Sequence, residues 1–483
     1  MTAGWLSRRQ PVLLFIIIAM AKIGEKCAVF GIYGKGLDVS RLTFYGLFAL
    51  QHRGQESSGI AVGDGNELDC YKNAGLVTNV YNERIIKSLR GHLAVGHNRY
   101  STSAGSGLEH AHPVVIDDKL ALVHNGNLPS VAALVEFLKS KGQRTRGYSD
   151  SELMAYAIHW HMENGKNLSD AVEAAFPLFT GAFSALAMTR DTLVAFRDQC
   201  GIRPFAAGKI NGGYVFSSET CAFKLIGAEF LREVNPGEII TVNEEGLKSV
   251  QAALADPKID IFEFVYFSRP DSEIAGQLVY DVRRNFGLTL AKENPLDIDV
   301  VVPVPETAIP VAIGYSAGLK VPFEMGLIKN RYVHRTFIEP DQHTRDLGVL
   351  MKFIPLSNVL RGKRVALMDD SIVRGTTSQK LVKAIFDAGA KEVHMIISSP
   401  PLVYPDFYGI DTPEQGRLIA AHKTVPEICE FLGATSLYYL SLEGMISSTG
   451  LPADRFSTSC FTGVYPVDLR ERVKDYKKPE YGN

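Results

Sequence analysis

Residues 365–378 (VALMDDSIVRGTTS) constrain the fold of this 483-residue chain more than any other segment. An apolar run ends in Asp369 and Asp370, a loop that contains Gly375 follows, and a helical pattern then begins. Backbone N–H groups at the start of a helix bind anions, glycine lets a phosphate approach closely, and paired carboxylates suit ribose hydroxyls and magnesium. Hydroxyl donors stand at Ser371, Thr376, Thr377 and Ser378. The segment predicts a sugar-phosphate site, although an acidic strand end before an ordinary helix cap has the same pattern.

The arrangement of strand and helix patterns changes near residue 255. Before this point the patterns are mixed, whereas after it apolar strands alternate with helices, as in 364–368, 377–388 and 392–397. Such alternation predicts an α/β domain with a parallel sheet. The predicted division is a start segment 1–26, a first domain 27–255, a second domain 256–470 and a polar C-terminal tail 471–483.

Residues 369–377 resemble the signature of the type I phosphoribosyltransferases, in which paired acids bind ribose and the next loop binds the 5′-phosphate. The resemblance implies that 303–307 (PVPET) is the pyrophosphate loop. It also implies that the basic segment 329–337 is a flap over pyrophosphate, although on composition alone this segment could be a solvated basic face. The implied ligands of 5-phosphoribosyl 1-pyrophosphate are Lys329, Arg331, Arg335, Asp369, Asp370, Ser371, Gly375, Thr376, Thr377 and Ser378. The implied magnesium-linked residues are Thr307, Asp369 and Asp370.

Several short motifs follow one another in the first half. They are 27–33 (CAVFGIY), 52–59 (HRGQESSG), 97–102 (HNRYST), 124–127 (HNGN) and 149–152 (SDSE). Each is weak alone, since HNGN fits a simple turn and HRGQ a helix end. In this order and spacing they resemble the N-terminal-nucleophile (Ntn), or class II, glutamine amidotransferases.

The resemblance assigns chemistry to these motifs. A Cys27 thiol would attack the side-chain amide of glutamine, with its own α-amino group as the base. The developing oxyanion needs fixed donors, which the family supplies from the residues matching Asn125 and Gly126. Arg99 suits the α-carboxylate of glutamine, Asp150 suits its α-ammonium group, and Arg53 would order the site around the thiol. The implied glutamine-binding residues are Arg53, Arg99, Thr102 and Asp150. His52, His97 and His124 are expected to order the backbone, and His110 and His112 are not expected to bind a metal.

This chemistry makes a demand on the start of the chain. Cys27 has a free α-amine only if the chain is cleaved between Lys26 and Cys27. Either residues 1–26 are removed as a propeptide, or residues 1–19 are an over-called start, Met20 is the initiator and residues 20–26 form a short propeptide. Arg8 and Arg9 before the apolar run 11–20 are typical of a signal peptide, but that run is too short to span a membrane. We favour Met20 as the initiator. We therefore predict a cytoplasmic enzyme without a membrane partner.

The two halves together resemble the amidophosphoribosyltransferase family over about residues 27–470. This implies an α+β four-layer Ntn-hydrolase domain followed by an α/β parallel-sheet type I phosphoribosyltransferase domain. It also implies that glutamine, 5-phosphoribosyl 1-pyrophosphate and water yield 5-phosphoribosylamine, glutamate and pyrophosphate, the first committed step of purine synthesis. The resemblance further implies that the enzyme uses Mg²⁺, forms a homodimer or homotetramer, and is inhibited by purine nucleotides. It also implies a channel that carries ammonia between the sites.

Cysteine usage departs from part of that family, which carries a four-cysteine iron–sulfur cluster. Here 457–461 (STSCF) keeps only Cys460, Asp406 stands in the family's Pro-Cys-Phe-Tyr-Gly motif, and 258–264 has no cysteine. Because a cluster needs its thiolates, we predict none and expect a colourless protein. The net charge of -2 also disfavours nucleic-acid binding. The alternatives are a degenerate enzyme that uses only ammonia and a ligand-binding regulator.

Overall fold

The computed structural model describes residues 27–100, 108–330, 352–408 and 414–475. The predictions for the start segment 1–26, for Thr102, for Arg331 and Arg335 and for most of the C-terminal tail lie outside these ranges. Within them, no helix is both long enough and apolar enough to cross a membrane.

The first half contains two antiparallel β-sheets. In spatial order, the strands of the first sheet are Glu229–Glu233, Ala206–Ile210, Gly213–Ser217, Ala28–Tyr33, Leu93–Arg99, Ser57–Gly63 and Leu68–Ala74. Those of the second are Gly246–Gln251, Glu238–Asn243, Leu193–Arg197, Thr180–Met188, Leu120–Ser130 and Val114–Ile116.

The central strands of each sheet are buried on both faces. Successive side chains of a strand point to opposite sides, so one strand contributes to two cores. On the central strand Ala28–Tyr33, Phe30 and Ile32 pack against helices, whereas Val29 packs in the core shared by the two sheets. The helices on the first sheet are Val39–Ala49, Val77–Val80, Glu83–Ser88 and Cys221–Ile226. Those on the second are Ala132–Ser140, Asp150–Glu163 and Leu168–Ala175. The order helix, sheet, sheet, helix confirms the predicted four-layer domain.

The second half is built around a parallel sheet. Its strands, in spatial order, are Val300–Pro303, Arg364–Asp369, Glu392–Ile397 and Ser436–Tyr439. The helices Thr376–Asp387 and Val425–Leu432 cover one face, and Val279–Glu293, Ile309–Leu319 and Leu442–Ser448 lie on the other. Parallel strands with helices on both faces confirm the predicted α/β class.

Shorter elements complete the second half. The paired short strands are Ile259–Asp260 with Phe456–Ser457, Glu273–Ile274 with Gln277–Leu278, and Leu327–Lys329 with Phe353–Pro355. A π-helical turn spans Glu263–Phe267. The remaining short helices of the described ranges are Leu108–His110, Phe176–Leu178, Ser357–Leu360, Gln415–Arg417, Ile419–Ala421, Ala453–Arg455, Ser459–Thr462 and Arg470–Asp475.

The two halves share a small apolar core of their own. Ala182 and Ile202 of the first half pack with Phe407, Tyr408 and Leu469 of the second. The predicted boundary at 255/256 falls between the strands Gly246–Gln251 and Ile259–Asp260, and it stays a prediction. The sites of the two halves are therefore held on one packed framework.

Candidate active sites

Cys27 lies at the start of the central strand of the first sheet. The antiparallel register pairs Ala28 with Asn98, which puts Cys27 opposite Arg99. The thiol lies 3.7 Å from the carbonyl oxygen of Tyr100. Burial raises the pKa of the Cys27 thiol, while a backbone hydrogen bond at Tyr100 and the charge of Arg99 act against that rise. Since the thiolate is the nucleophile, this thiol needs a base to remove its proton.

Asn125 and Gly126 stand on the neighbouring sheet, within the strand Leu120–Ser130. The side-chain amide of Asn125 lies 3.4 Å from the hydroxyl of Ser218, and that hydroxyl accepts a 3.0 Å hydrogen bond from the backbone of Val29. Gly126 has φ +148°, and a Cβ there would lie 2.0 Å from the carbonyl oxygen of Ala182. Only glycine fits this position. The HNGN backbone is thereby tied to the strand that begins at Cys27.

Asp150 begins the helix Asp150–Glu163, whose start is fixed by a capping box between Ser149 and Glu152. The Asp150 carboxylate accepts a 3.2 Å hydrogen bond from the backbone of Leu128 and a 2.7 Å bond from that of Ser151. The SDSE and HNGN motifs therefore meet in space. A carboxylate held in this way is suited to an ammonium group.

Three buried histidines lie around this region. The His97 ring is 3.0 Å from the carbonyl oxygen of His124 and stacks on His112 with 4.3 Å between ring centres. Burial lowers the pKa of His97 to about 3, and it also lowers the pKa values of His112 and His124. The three rings are therefore neutral at neutral pH, and those of His97 and His124 contact backbone carbonyls.

Arg53 has a different environment from the one that glutamine binding would require. Its side chain is 1% exposed, and its terminal nitrogens pair with Glu219 and Glu263. Burial opposes the charge of Arg53, but these two carboxylates raise its pKa. Both terminal nitrogens are engaged within the protein, so the guanidinium is arranged to order the 52–59 loop.

The second site is a pocket at the carboxyl end of the strand Arg364–Asp369. Asp369 and Asp370 are 5% and 6% exposed, and the Ser371 hydroxyl donates a 2.7 Å hydrogen bond to Asp370. Gly375, with φ +74°, precedes the helix Thr376–Asp387. The pocket is lined by Tyr266, Asp369, Asp370, Ser371, Val373, Arg374, Gly375, Thr376, Thr377 and Ser378. Acids, hydroxyls and a helix start therefore surround one cavity.

The PVPET turn lies beside this pocket. The strand Val300–Pro303 runs parallel to Arg364–Asp369, and the Val304 amide donates a 2.8 Å bond to the carbonyl of Met368. Because these strands are parallel neighbours, the turn with Thr307 lies at the same edge of the sheet as Asp369. Ligands of parallel sheets bind at this carboxyl edge. Lys329 lies 3.7 Å from Glu306 of the same turn.

The acids of this pocket supply only part of the set of ligands that a magnesium ion needs. Among the described residues, no group of three or more His, Cys, Asp or Glu side chains is arranged around a point where a metal could bind. Magnesium in phosphate-transfer sites commonly takes one or two carboxylates and completes its shell with substrate oxygens and water. The paired acids Asp369 and Asp370 suit that mode.

Asp406, at a position where part of the family carries a cluster cysteine, and Asp260, in the segment 258–264, are both bound within the protein. Asp406 accepts a 2.8 Å hydrogen bond from the backbone of Tyr408, and Asp260 pairs with Arg203 at 2.9 Å. Cys460 is buried, and its carbonyl accepts bonds from the backbone of Val403 and Tyr404. The prediction that no iron–sulfur cluster forms stays a prediction.

Sequence reasoning missed several residues that the fold brings to these sites. Ser218 links Asn125 to the Cys27 strand, Tyr266 lines the second pocket, and Glu219 and Glu263 hold Arg53. Ser218 and Glu219 directly follow the strand Gly213–Ser217, which is a signal that points to a strand-end site. Tyr266 and Glu263 lie in an aromatic run with no such signal.

Known proteins resemble the chain over almost its whole length. Residues 97–225 match the glutamine amidotransferase domain. The chain is 47% identical over 461 residues to the amidophosphoribosyltransferase of Synechococcus elongatus, with 94% of each protein covered. The amidophosphoribosyltransferase of Bacillus subtilis is 42% identical over 456 residues, which cover 92% of this chain and 95% of that protein.

Two solved structures also resemble the chain. One is described as glutamine phosphoribosylpyrophosphate amidotransferase from B. subtilis complexed with ADP and GMP, and it has a TM-score of 0.86 at 42% identity over 92% of this chain and 98% of that one. The other is described as the allosteric regulatory enzyme of purine biosynthesis, with a TM-score of 0.87 at 42% identity over 92% and 97%. Both halves of the fold therefore match together.

Proposed function

The chain belongs to the amidophosphoribosyltransferase family, and from this premise we propose how its residues divide the reaction between them. The enzyme is a glutamine amidotransferase and phosphoribosyltransferase of purine biosynthesis. It converts glutamine, 5-phosphoribosyl 1-pyrophosphate and water to 5-phosphoribosylamine, glutamate and pyrophosphate.

In the first half-reaction, Cys27 is the nucleophile once it is the first residue of the chain. Its α-amine takes the thiol proton, and the sulfur attacks the side-chain carbonyl carbon of glutamine. The side-chain amide of Asn125 and the backbone N–H of Gly126 donate hydrogen bonds to the oxyanion. The tetrahedral species collapses to a thioester as ammonia leaves with the transferred proton, and water then releases glutamate. The raised pKa of the thiol supports this role for the amine, since the thiol does not ionise readily by itself.

Glutamine itself is held by charges at its other end. Arg99 binds the α-carboxylate and Asp150 the α-ammonium group, and Thr102 completes the set. Two observations support this assignment. Arg99 lies opposite Cys27 in the sheet, and Asp150 accepts a hydrogen bond from the backbone of the strand that carries HNGN. Arg53 takes part indirectly, because its guanidinium is buried between two carboxylates.

In the second half-reaction, the pocket at the carboxyl end of the strand Arg364–Asp369 binds the phosphoribosyl group. Asp369 and Asp370 contact the ribose, and the loop that follows them binds the 5′-phosphate through backbone amides and hydroxyls. Lys329, Arg331 and Arg335 supply the positive charge that binds the pyrophosphate. Asp369 and Asp370, together with Thr307, would hold a magnesium ion, which would supply positive charge against the pyrophosphate. Ammonia attacks the anomeric carbon, pyrophosphate leaves, and one proton of the nitrogen is lost to solvent.

Regulation, assembly and location complete the proposal. Binding of purine nucleotides as feedback inhibitors is supported by the B. subtilis structure that carries ADP and GMP. A homodimer or homotetramer follows the family resemblance. A cytoplasmic location is supported by the cysteines, all six of which lie in the described ranges and are thiols rather than disulfides. The family resemblance predicts that adding 5-phosphoribosyl 1-pyrophosphate raises glutaminase activity.

The meeting of the Cys27, HNGN and SDSE motifs at one end of the first domain carries the proposal. The test is pyrophosphate release from 5-phosphoribosyl 1-pyrophosphate and magnesium, with glutamine or an ammonium salt as the nitrogen donor. We expect release with both donors. Release with ammonium alone identifies the ammonia-only alternative, and release with neither favours the ligand-binding regulator.

A further inference from the structure

Five charged side chains form a buried cluster between the two halves of the molecule. Arg53, Arg203 and Glu219 come from the first half, and Asp260 and Glu263 from the second. None of these side chains is more than 5% exposed. Charges removed from water to this extent keep their geometry only when each one is paired. We call this group the interdomain ion cluster.

Glu263 is the central member of the interdomain ion cluster. Its two carboxylate oxygens accept hydrogen bonds of 3.1 and 2.8 Å from the two terminal nitrogens of Arg53. The same carboxylate accepts a 3.1 Å bond from Arg203 and a 2.6 Å bond from the hydroxyl of Ser268. Such a two-point contact fixes the orientation of a guanidinium as well as its position. The second half therefore sets where Arg53 lies.

Arg53 in turn lies next to the glutaminase site. It is followed by Gly54, where a Cβ would meet the backbone of Asn98 at 2.6 Å and that of Arg99 at 2.9 Å. The Glu56 amide donates a 3.1 Å hydrogen bond to the Arg99 carbonyl. The loop is thus packed directly on the strand end opposite Cys27. A displaced Arg53 would move this loop, and the loop would move Arg99.

Glu263 does not line the phosphoribosyl pocket, but the chain connects it to a residue that does. It begins the π-helical turn Glu263–Phe267, in which Tyr266 lines that pocket. Arg283 donates bonds of 2.7 and 2.8 Å to the carbonyls of Phe264 and Ser268 on either side. One rigid turn therefore has its first residue in the interdomain ion cluster and its fourth at the second site.

We propose that Glu263 is a positioning residue of the glutaminase site, supplied by the phosphoribosyl half and acting through Arg53. It touches neither substrate, and its task is to fix the 52–59 loop so that Arg99 stands correctly beside Cys27. The proposal rests on the function proposed above. If Glu263 has this role, the glutaminase site is complete only when the two halves are packed together.

The competing view is that the interdomain ion cluster merely holds the halves together, and Asp260→Asn separates the two views. Asp260 is buried like Glu263 and lies three residues before it, but its ion pair is with Arg203, whereas Arg53 pairs with Glu219 and Glu263. Glu263→Gln and Asp260→Asn each remove one buried negative charge with little change of shape. A purely structural cluster would respond to both in the same way.

The experiment uses the full enzyme with Cys27 as its first residue. It measures pyrophosphate release with glutamine and with ammonium, together with Tm. For Glu263→Gln we expect glutamine-dependent kcat/KM to fall about ten- to hundredfold, as for a misplaced binding group, with the ammonium-dependent rate within about threefold. For Asp260→Asn we expect both rates to stay within about threefold. Equal losses with both donors, or unchanged glutamine kinetics in Glu263→Gln, would overturn the proposal.

A second variant covers the case in which Glu263→Gln does not fold. Arg53→Lys keeps the charge of the interdomain ion cluster but lacks the two-point fork, so it should show the same selective loss with glutamine. Full glutamine activity in Arg53→Lys would overturn the proposal. The wild-type rates with the two donors test the proposed function independently, so failure there is distinguishable from failure of this inference.

Discussion

The two proposed active sites are built from the chain in opposite ways. The phosphoribosyl pocket takes nearly all of its lining from the continuous stretch 369–378, with Tyr266 as the distant member. The glutaminase site collects Cys27, Arg99, Asn125 and Asp150 from separate strands and a helix. A continuous site depends on one strand, one loop and one helix start, whereas a dispersed site depends on the whole packing of its domain. A substitution in the continuous site should therefore disturb only nearby residues, whereas one in the dispersed site should disturb the packing of its whole domain.

Replacing the nucleophile is the sharpest way to separate the two sites. Cys27→Ala should reduce glutamine-dependent turnover by about 10⁴-fold or more, because the thioester cannot form. Ammonium-dependent turnover should remain, since ammonia enters the second reaction directly. Both rates are measured as pyrophosphate release, with Cys70→Ala, another half-buried thiol of the same sheet, as the matched control. Full glutamine activity in Cys27→Ala would mean that another residue is the nucleophile.

Removing the acids of the continuous site should affect both donors. Asp369→Asn combined with Asp370→Asn is expected to lower turnover by about 10³-fold whether glutamine or ammonium is supplied, because ribose and metal ligands are lost together. Asp387→Asn is the control, since Asp387 is an exposed acid at the end of the helix Thr376–Asp387. A variant of the acid pair that keeps its ammonium rate contradicts the assignment of this pocket.

A steric change in the dispersed site should have a smaller effect that is specific to glutamine. Gly126→Ala places a Cβ against the Ala182 carbonyl, and this displaces an oxyanion donor. Glutamine-dependent kcat should drop by about 10²-fold, while the ammonium-dependent rate changes little. Gly416→Ala is the control, because a Cβ there meets nothing within 4 Å. Equal losses with both donors would show that the glycine supports the fold rather than the site.

The smallest effect concerns the stability of the first domain at low pH. His97 has a pKa of about 3 when folded, against about 6.5 in an unfolded chain. The unfolded state therefore binds more protons between these values, and the free energy of unfolding falls as the pH is lowered from about 6.5 towards 3. Each such histidine removes about 1.4 kcal/mol per pH unit in that window.

Urea unfolding at pH 7 and pH 5 measures this effect. After removal of 1–26, Trp160 is the only tryptophan, so its fluorescence follows the first domain alone. His97→Gln removes one titrating ring, and the difference in stability between the two pH values should shrink by about 2 kcal/mol. An unchanged difference would indicate that His97 is protonated in the folded protein.

The contrast between the sites also explains which features could be read from the sequence. Strand bounds such as Glu392–Ile397 agree with the patterns, because they depend on neighbouring residues. The acid pair and loop of the second site were accessible for the same reason. Arg53 was assigned to glutamine, whereas the fold gives it two buried carboxylates, one of them 210 positions away.

By itself the sequence determined the local chemistry of this protein. It specifies a strand that ends in two acids, a glycine where φ is positive, a helix start with free N–H groups, and a cysteine at the head of a strand. Only the tertiary structure decided that Glu263 meets Arg53, that Tyr266 faces the phosphoribosyl pocket, and that Ser218 joins Asn125 to the strand of Cys27. Backbone preferences act over a few residues, whereas a buried contact between distant residues is selected by the packing of the whole molecule.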